Sequence, residues 1–222
     1  MAKKEILRVK GNIKEMYAKL SKPYAIIEEK FEKKIRERSL KLLNLQEGEK
    51  VLEIGFGTGV SLIEIQKAVG DSGKVHGIDL TPEMIEITRA RLTRINLLDK
   101  IELAEGDART LPYPDKFFDV VYLSSTLELF DTPDIPIVLS EIKRVLKSSG
   151  RLGVVSISKE NHESSILIKI YEWFHQNFTR YASCRPIYVE DSVKSADFKI
   201  IKSEELMMGG MFPMKIIVAK LI

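Results

Sequence analysis

The segment Lys50-Val51-Leu52-Glu53-Ile54-Gly55-Phe56-Gly57-Thr58-Gly59 constrains this chain more than any other. Val51, Leu52 and Ile54 make a short apolar run, glycines follow at alternating positions, and helical periodicity begins just past Thr58. A strand that turns this tightly into a helix needs residues free to take left-handed backbone angles, and it leaves the main chain open to a ligand that a Cβ would obstruct. The first turn of the helix carries N–H groups without intrahelical partners and so favours an anionic group. Val75-His76-Gly77-Ile78-Asp79 reads as a second strand ending in a carboxylate, about 20 residues on, where nucleotide-binding folds place the acid that holds ribose hydroxyls. Ile101 to Ala108 reads as a third strand that also ends in an acid, Asp107.

Glycine spacing separates the cofactors such a loop can serve. G-x-G-x-x-G fits the pyrophosphate of a dinucleotide, and Val60 stands where its third glycine would fall, which weakens a nicotinamide-dependent oxidoreductase reading. E-x-G-x-G-x-G, with Asp79 closing strand two and Gly106-Asp107-Ala108 after strand three, resembles the Rossmann-like (class I) S-adenosylmethionine-dependent methyltransferases. Leu111-Pro112-Tyr113-Pro114-Asp115-Lys116-Phe117-Phe118-Asp119-Val120-Val121 is similar to that family's entry to strand four. Glu141 to Gly150 is similar to its turn before strand five, with Ser148 and Ser149 in place of the usual Pro-Gly. Within the family, the order of elements resembles the ubiquinone and menaquinone biosynthesis enzymes and phospholipid N-methyltransferases, over residues 15 to 158.

The resemblance implies roles for individual residues. Glu53 would face the aminoacyl end of S-adenosylmethionine, and Gly55, Gly57, Thr58 and Gly59 would let the ligand approach the backbone. Asp79 would accept the ribose hydroxyls, or else cap the following helix, a task for which Thr81 is the better N-cap. Asp107 and Ala108 would border the adenine, unless Asp107 is a simple turn residue. Leu80 and Met84 would pack around the adenosine, with Met84 equally suited to the core. Ser124 and Ser125, after strand four, would touch the cofactor.

Acceptor chemistry is less legible. A sulfonium methyl is already activated, so alignment and exclusion of water dominate, and a base is needed only where the acceptor loses a proton. Glu128 reads first as a helix-surface residue and second as one facing the acceptor. His162 and His175 are candidate bases by residue type alone, with surface placement favoured. Tyr17 and Tyr24, in N-terminal helices, either line the site or pack ordinarily. The aromatic segment Ile166 to Tyr181 carries Ile170, Tyr171, Trp173, Phe174, Phe178 and Tyr181; core packing is its default, while Trp173 and Phe174 suit a lipophilic or cationic acceptor. Asn/Asp-Pro-Pro-Tyr, the tetrapeptide of enzymes that methylate flipped bases, is absent after strand four, so a nucleic-acid partner is disfavoured. Cys184 has no Cys/His metal pattern around it and reads as a small buried residue; no metal is expected. A protein that binds S-adenosylmethionine or its product without turnover remains the alternative to an enzyme.

Apolar strands and amphipathic helices alternate from residue 46 to 160, predicting an α/β, doubly wound, mostly parallel sheet. The expected elements are helices over 59–69 and 134–147 and strands over 118–124 and 151–157. Two late apolar runs around Gly209-Gly210 predict a C-terminal antiparallel hairpin that completes seven strands. The whole chain reads as one domain: an N-terminal helical cap over the cofactor site (1–45), a cofactor-binding core (46–160), and a substrate-side insertion with the closing hairpin (161–222). Of the 35 Lys and Arg, 13 fall in residues 1–41 against 6 of the acids, giving a local excess of +7 in a chain of net +3. Helix solvation explains most such runs, and the alternative is peripheral contact with an anionic membrane. No apolar run reaches membrane-spanning length, the N-terminus lacks a signal-peptide core, and one cysteine makes no internal disulfide, so the cytoplasm is the default compartment.

Overall fold

The computed structural model describes residues 32–177 and 184–222. Its strands are β1 (Lys50–Ile54), β2 (Lys74–Asp79), β3 (Ile101–Glu105), β4 (Phe118–Ser124), β5 (Leu146–Ile157), β6 (Phe198–Met208) and β7 (Phe212–Leu221). They form one sheet in the order β3-β2-β1-β4-β5-β7-β6. β1 to β5 are parallel, and β7 runs antiparallel between β5 and β6. The doubly wound sheet with its closing hairpin is thus the one the alternating pattern predicts.

The helices are α1 (Lys33–Leu43), α2 (Val60–Val69), α3 (Pro82–Arg94), α4 (Ile135–Val145), α5 (Ile166–Asn177) and α6 (Val189–Ser195). Neighbouring β1 residues divide between two cores, Val51 entering the one shared with α1 and α2, and Leu52 the one shared with α4 and α6. Both faces are therefore covered, and the central strands read as near-continuous apolar runs. α4 shows the matching helical stripe, burying Ile135, Val138, Leu139, Ile142 and Val145 on one face.

Two local features depart from expectation. β5 begins at Leu146 rather than at residue 151, because Leu146 pairs with Phe118 before the register shifts to Val120 and Arg151. The Ser148-Ser149 departure from the family turn therefore lies within extended chain. Thr81 occupies the N-cap position of α3 but makes no side-chain cap hydrogen bond; its hydroxyl and its N–H both turn to the Asp79 carboxylate instead. The described part of the N-terminal cap, α1, lies against β5, β7 and β6. It is tied there by Ser39 Oγ to Tyr122 Oη at 2.7 Å and by a two-pronged Arg38–Glu204 pair.

Candidate active site

β1, β2 and β3 progress outward in one direction, whereas β4 inserts on the other side of β1. The C-terminal ends of β1 and β4 consequently diverge into a crevice, the place where open α/β sheets take ligands. The glycine loop Gly55–Gly59 borders one side, and Ser124 to Glu128 borders the other.

The loop is held from within. Gly55, Gly57 and Gly59 have φ of 70°, 52° and 76°, all left-handed. A Cβ on Gly55 would lie 2.4 Å from Thr126 Oγ1, and one on Gly59 2.4 Å from Thr88 Cγ2. At these two positions glycine is required by the protein's own threonines, in addition to any ligand. Gly57 is fixed at both ends of its peptide units: its N–H donates to Asp79 Oδ2 at 3.0 Å and its carbonyl accepts from Thr88 Oγ1 at 2.9 Å. Asp79 Oδ1 accepts the Thr81 N–H at 2.9 Å, so one carboxylate ties the end of β2 to the loop and to the start of α3. Burial pushes its pKa up, against the lowering effect of these N–H donors.

The other expected cofactor residues are distributed around this centre. Glu53 is buried at the end of β1, opposite Tyr122 in the β1–β4 register. Thr58 and Met84 are buried, while Leu80 is 42% exposed. Asp107 is gripped by Arg109, whose Nε, Nη2 and backbone N–H all donate to its carboxylate, and Arg109 also reaches Asp134. That grip holds the Asp107 carboxyl below its usual range. Ala108 is buried beside it. Ser125 takes a left-handed φ of 51° and donates its N–H to Val155, which turns the chain sharply out of β4.

The acceptor-side expectations need correction. Glu128 is not on a helix surface: it is fully buried in a short turn of 3-10 helix (Leu127–Leu129), with Oε1 receiving the Ile157 N–H at 3.4 Å. His175 is likewise buried rather than exposed, because α5 turns that face inward. His162 is partly exposed, its Nε2 2.9 Å from Glu205. Trp173 and Phe174 lie on the outer side of α5, 58% and 36% exposed, whereas Tyr171 turns inward against Phe212. Cys184 is partly exposed, and its neighbour Arg185 is the buried one, donating to the Phe130 carbonyl at 2.7 Å. Tyr17, Tyr24, Phe178 and Tyr181 lie outside the described residues. Thr88, Thr126 and Arg185 were not foreseen as parts of the site. A helical threonine, a threonine after a strand and an arginine before a proline carry no periodic or spacing signal that marks them.

Comparison with known proteins agrees with this geometry. Residues 51–150 match the methyltransferase-domain family. With the sheet order and the glycine loop, this defines the class that the chain resembles, the Rossmann-like, S-adenosylmethionine-dependent methyltransferases. Within the class it is similar to demethylmenaquinone methyltransferases. That of Lactobacillus johnsonii is 34% identical over 157 residues, covering 70% of this chain and 62% of the relative. That of Bacillus pumilus is 33% identical over 152 residues, covering 68% and 64%. The chain thus spans less than two thirds of these relatives' length. The fold is shared with a SAM-dependent methyltransferase from Aquifex aeolicus (TM-score 0.64, 23% identity, 84% of this chain and 89% of that one). It is also shared with a chain of the complex between the Haloferax volcanii Trm112 methyltransferase activator and the putative methyltransferase (TM-score 0.74, 18% identity, 94% of this chain and 97% of that one).

Proposed function

We propose that this protein transfers the methyl group of S-adenosylmethionine to a small, lipophilic acceptor, with a demethylated quinone precursor as the best-supported class. The observation that carries the reading is the Gly55–Gly59 loop, locked by Asp79 and Thr88 at the crevice between β1 and β4. The quinone class draws its support from the demethylmenaquinone methyltransferases that the chain resembles.

The residues present fit the cofactor. The left-handed loop exposes backbone beside the start of α2, and a buried carboxylate stands at the end of β2. In this reading Glu53 orients the aminoacyl end and Gly55, Gly57, Thr58 and Gly59 form the floor. Asp79 takes the ribose hydroxyls on the lone pairs left by Gly57 and Thr81. Leu80 and Met84 flank the adenosine, Ser124 and Ser125 close the opposite wall, and Ala108 bounds the adenine. Asp107 meets the adenine amine while shared with Arg109. When bound, S-adenosylmethionine supplies a sulfonium methyl that needs no further activation. The protein's own contribution is alignment of the acceptor and exclusion of water. In domain terms, residues 46–160 bind the cofactor and the flanking segments, 1–45 and 161–222, surround the acceptor.

Calorimetry with S-adenosylhomocysteine and with NAD, followed by transfer of labelled methyl to reduced demethylmenaquinone, tests the proposal. Binding of NAD alone would return the oxidoreductase reading, and binding of S-adenosylhomocysteine without turnover on any lipid extract would leave a non-catalytic binder. The basic excess of residues 1–41 supports a second, peripheral role on anionic lipid, at up to roughly 1 kcal/mol per basic side chain near the surface. Equal cosedimentation with neutral and anionic vesicles would reduce that excess to solvation.

A further inference from the structure

Among the described residues, Glu128 is a buried acid of the β4–β5 side that the fold itself uses little. Its side chain is fully buried, yet Oε2 has no hydrogen-bond partner, and the donors near the carboxylate, the Ile157 N–H at 3.4 Å from Oε1 and the Ser156 hydroxyl, do not offset its burial. A buried carboxylate left this way costs several kcal/mol and persists in a structure where something else recovers it. Its place says what that something is. Thr126, two residues earlier, packs on Gly55 of the loop, and Ile157, which Oε1 touches, ends β5. Glu128 therefore stands on the segment that borders the crevice opposite the glycine loop, next to the end of β5.

The groups that face it come from each neighbouring element. Ser156 and Ile157 of β5 offer weak donors, Arg185 brings a positive charge from the segment before α6, and Tyr171 approaches from α5. A second cation entering here would meet the positive charge of Arg185, whereas a neutral hydroxyl suffers no such repulsion and supplies the missing donor. Resting on the methyltransferase reading above, we infer that Glu128 is the acceptor-side base, and that its open Oε2 receives the hydrogen bond and then the proton of a hydroxyl on an electron-rich aromatic ring. The ring carbon next to that hydroxyl bonds to the methyl carbon as the carbon–sulfur bond breaks and its electron pair stays on sulfur. The ring C–H proton then leaves to solvent while Oε2 returns its proton to the oxygen, restoring both the aromatic hydroxyl and the free carboxylate. Desolvation supports the assignment by pushing the Glu128 pKa up to about 7, where a base is strong and about half ionised at neutral pH.

The test uses the whole chain, S-adenosylhomocysteine, a short-chain demethylmenaquinol as probe, and the bis-O-methyl ether of that probe, which has no hydroxyl to give. Wild type should bind the hydroquinone more tightly than the ether, and its kcat should rise with pH along a limb centred near 7. Glu128→Gln should keep its affinity for S-adenosylhomocysteine, lose about a hundredfold or more in kcat, and lose that limb. A variant with wild-type kcat and pH profile overturns the inference, as does equal binding of hydroquinone and ether by wild type. A wild type that binds S-adenosylhomocysteine but neither binds nor methylates the hydroquinone overturns it too, and leaves the cofactor reading standing. Loss of S-adenosylhomocysteine binding by wild type would remove both.

Discussion

Replacing Glu128 by glutamine should change how stability depends on pH, whatever the acceptor. In the folded protein the carboxyl titrates at about 7, against 4.5 for the free side chain, because burial disfavours the charged form more than Ser156, the Ile157 N–H and Arg185 favour it. Below the lower value both folded and unfolded chains hold the proton, and the group makes its full contribution. Between the two values the folded chain keeps a proton that the unfolded chain releases, so stability falls as pH rises; above the folded value the loss is complete. At about 1.4 kcal/mol per tenfold change, the window is worth on the order of 3 kcal/mol. Glutamine has the shape of the protonated acid and no charge to lose, so the variant should be nearly level with wild type at about pH 4.5 and more stable by that amount at about pH 8. Urea denaturation of both proteins across this range isolates the group, since other titrating residues cancel in the difference. Parallel curves would show that the carboxylate is solvated or paired, and the argument from its isolation would fail.

Other substitutions probe the loop and its supports. Asp79→Ala removes the acceptor for two buried N–H groups as well as the expected ribose partner; it should weaken S-adenosylhomocysteine binding at least tenfold in calorimetry and cost about 1–3 kcal/mol in denaturation. Loss of affinity at unchanged stability would contradict the tie to Gly57. Gly55→Ala should destabilise by about 1–3 kcal/mol through its left-handed φ and the clash with Thr126. Thr126→Ala should relieve the clash but leave the left-handed φ, a partial rescue visible in a double-mutant cycle. Arg144→Leu frees Glu141, Asp115 and the carbonyls of Leu111 and Tyr113; it should cost about 2 kcal/mol and speed hydrogen exchange in residues 111–117, and unchanged exchange would mark that network as incidental.

The order of strands and helices was legible because period carries it: apolar runs buried on two faces, as at Val51-Leu52, and a stripe such as Ile135-Val138-Leu139-Ile142 repeat at fixed spacings that packing dictates. The cofactor side was legible for a related reason. Gly55, Gly57, Gly59 and Asp79 are brought together by one strand–turn–helix unit and its next strand, so their separation along the chain already encodes their separation in space. What the sequence did not contain was burial set by distant partners. Glu128 and His175 looked like surface residues because an acid or an imidazole is solvated by default, and only the docking that brings Ile157, Arg185 and Tyr171 of α5 to Glu128, and turns the His175 face of α5 inward, takes them from water. The same docking turns Trp173 outward and Tyr171 inward. The reason Gly55 and Gly59 must be glycine also emerges only in three dimensions, where Thr126 and Thr88, far along the chain, occupy the space a side chain would need. Local spacing thus determined the fold and the glycine loop, whereas the surroundings of Glu128 and His175 depend on contacts between segments with no fixed spacing, and the tertiary structure alone decided them.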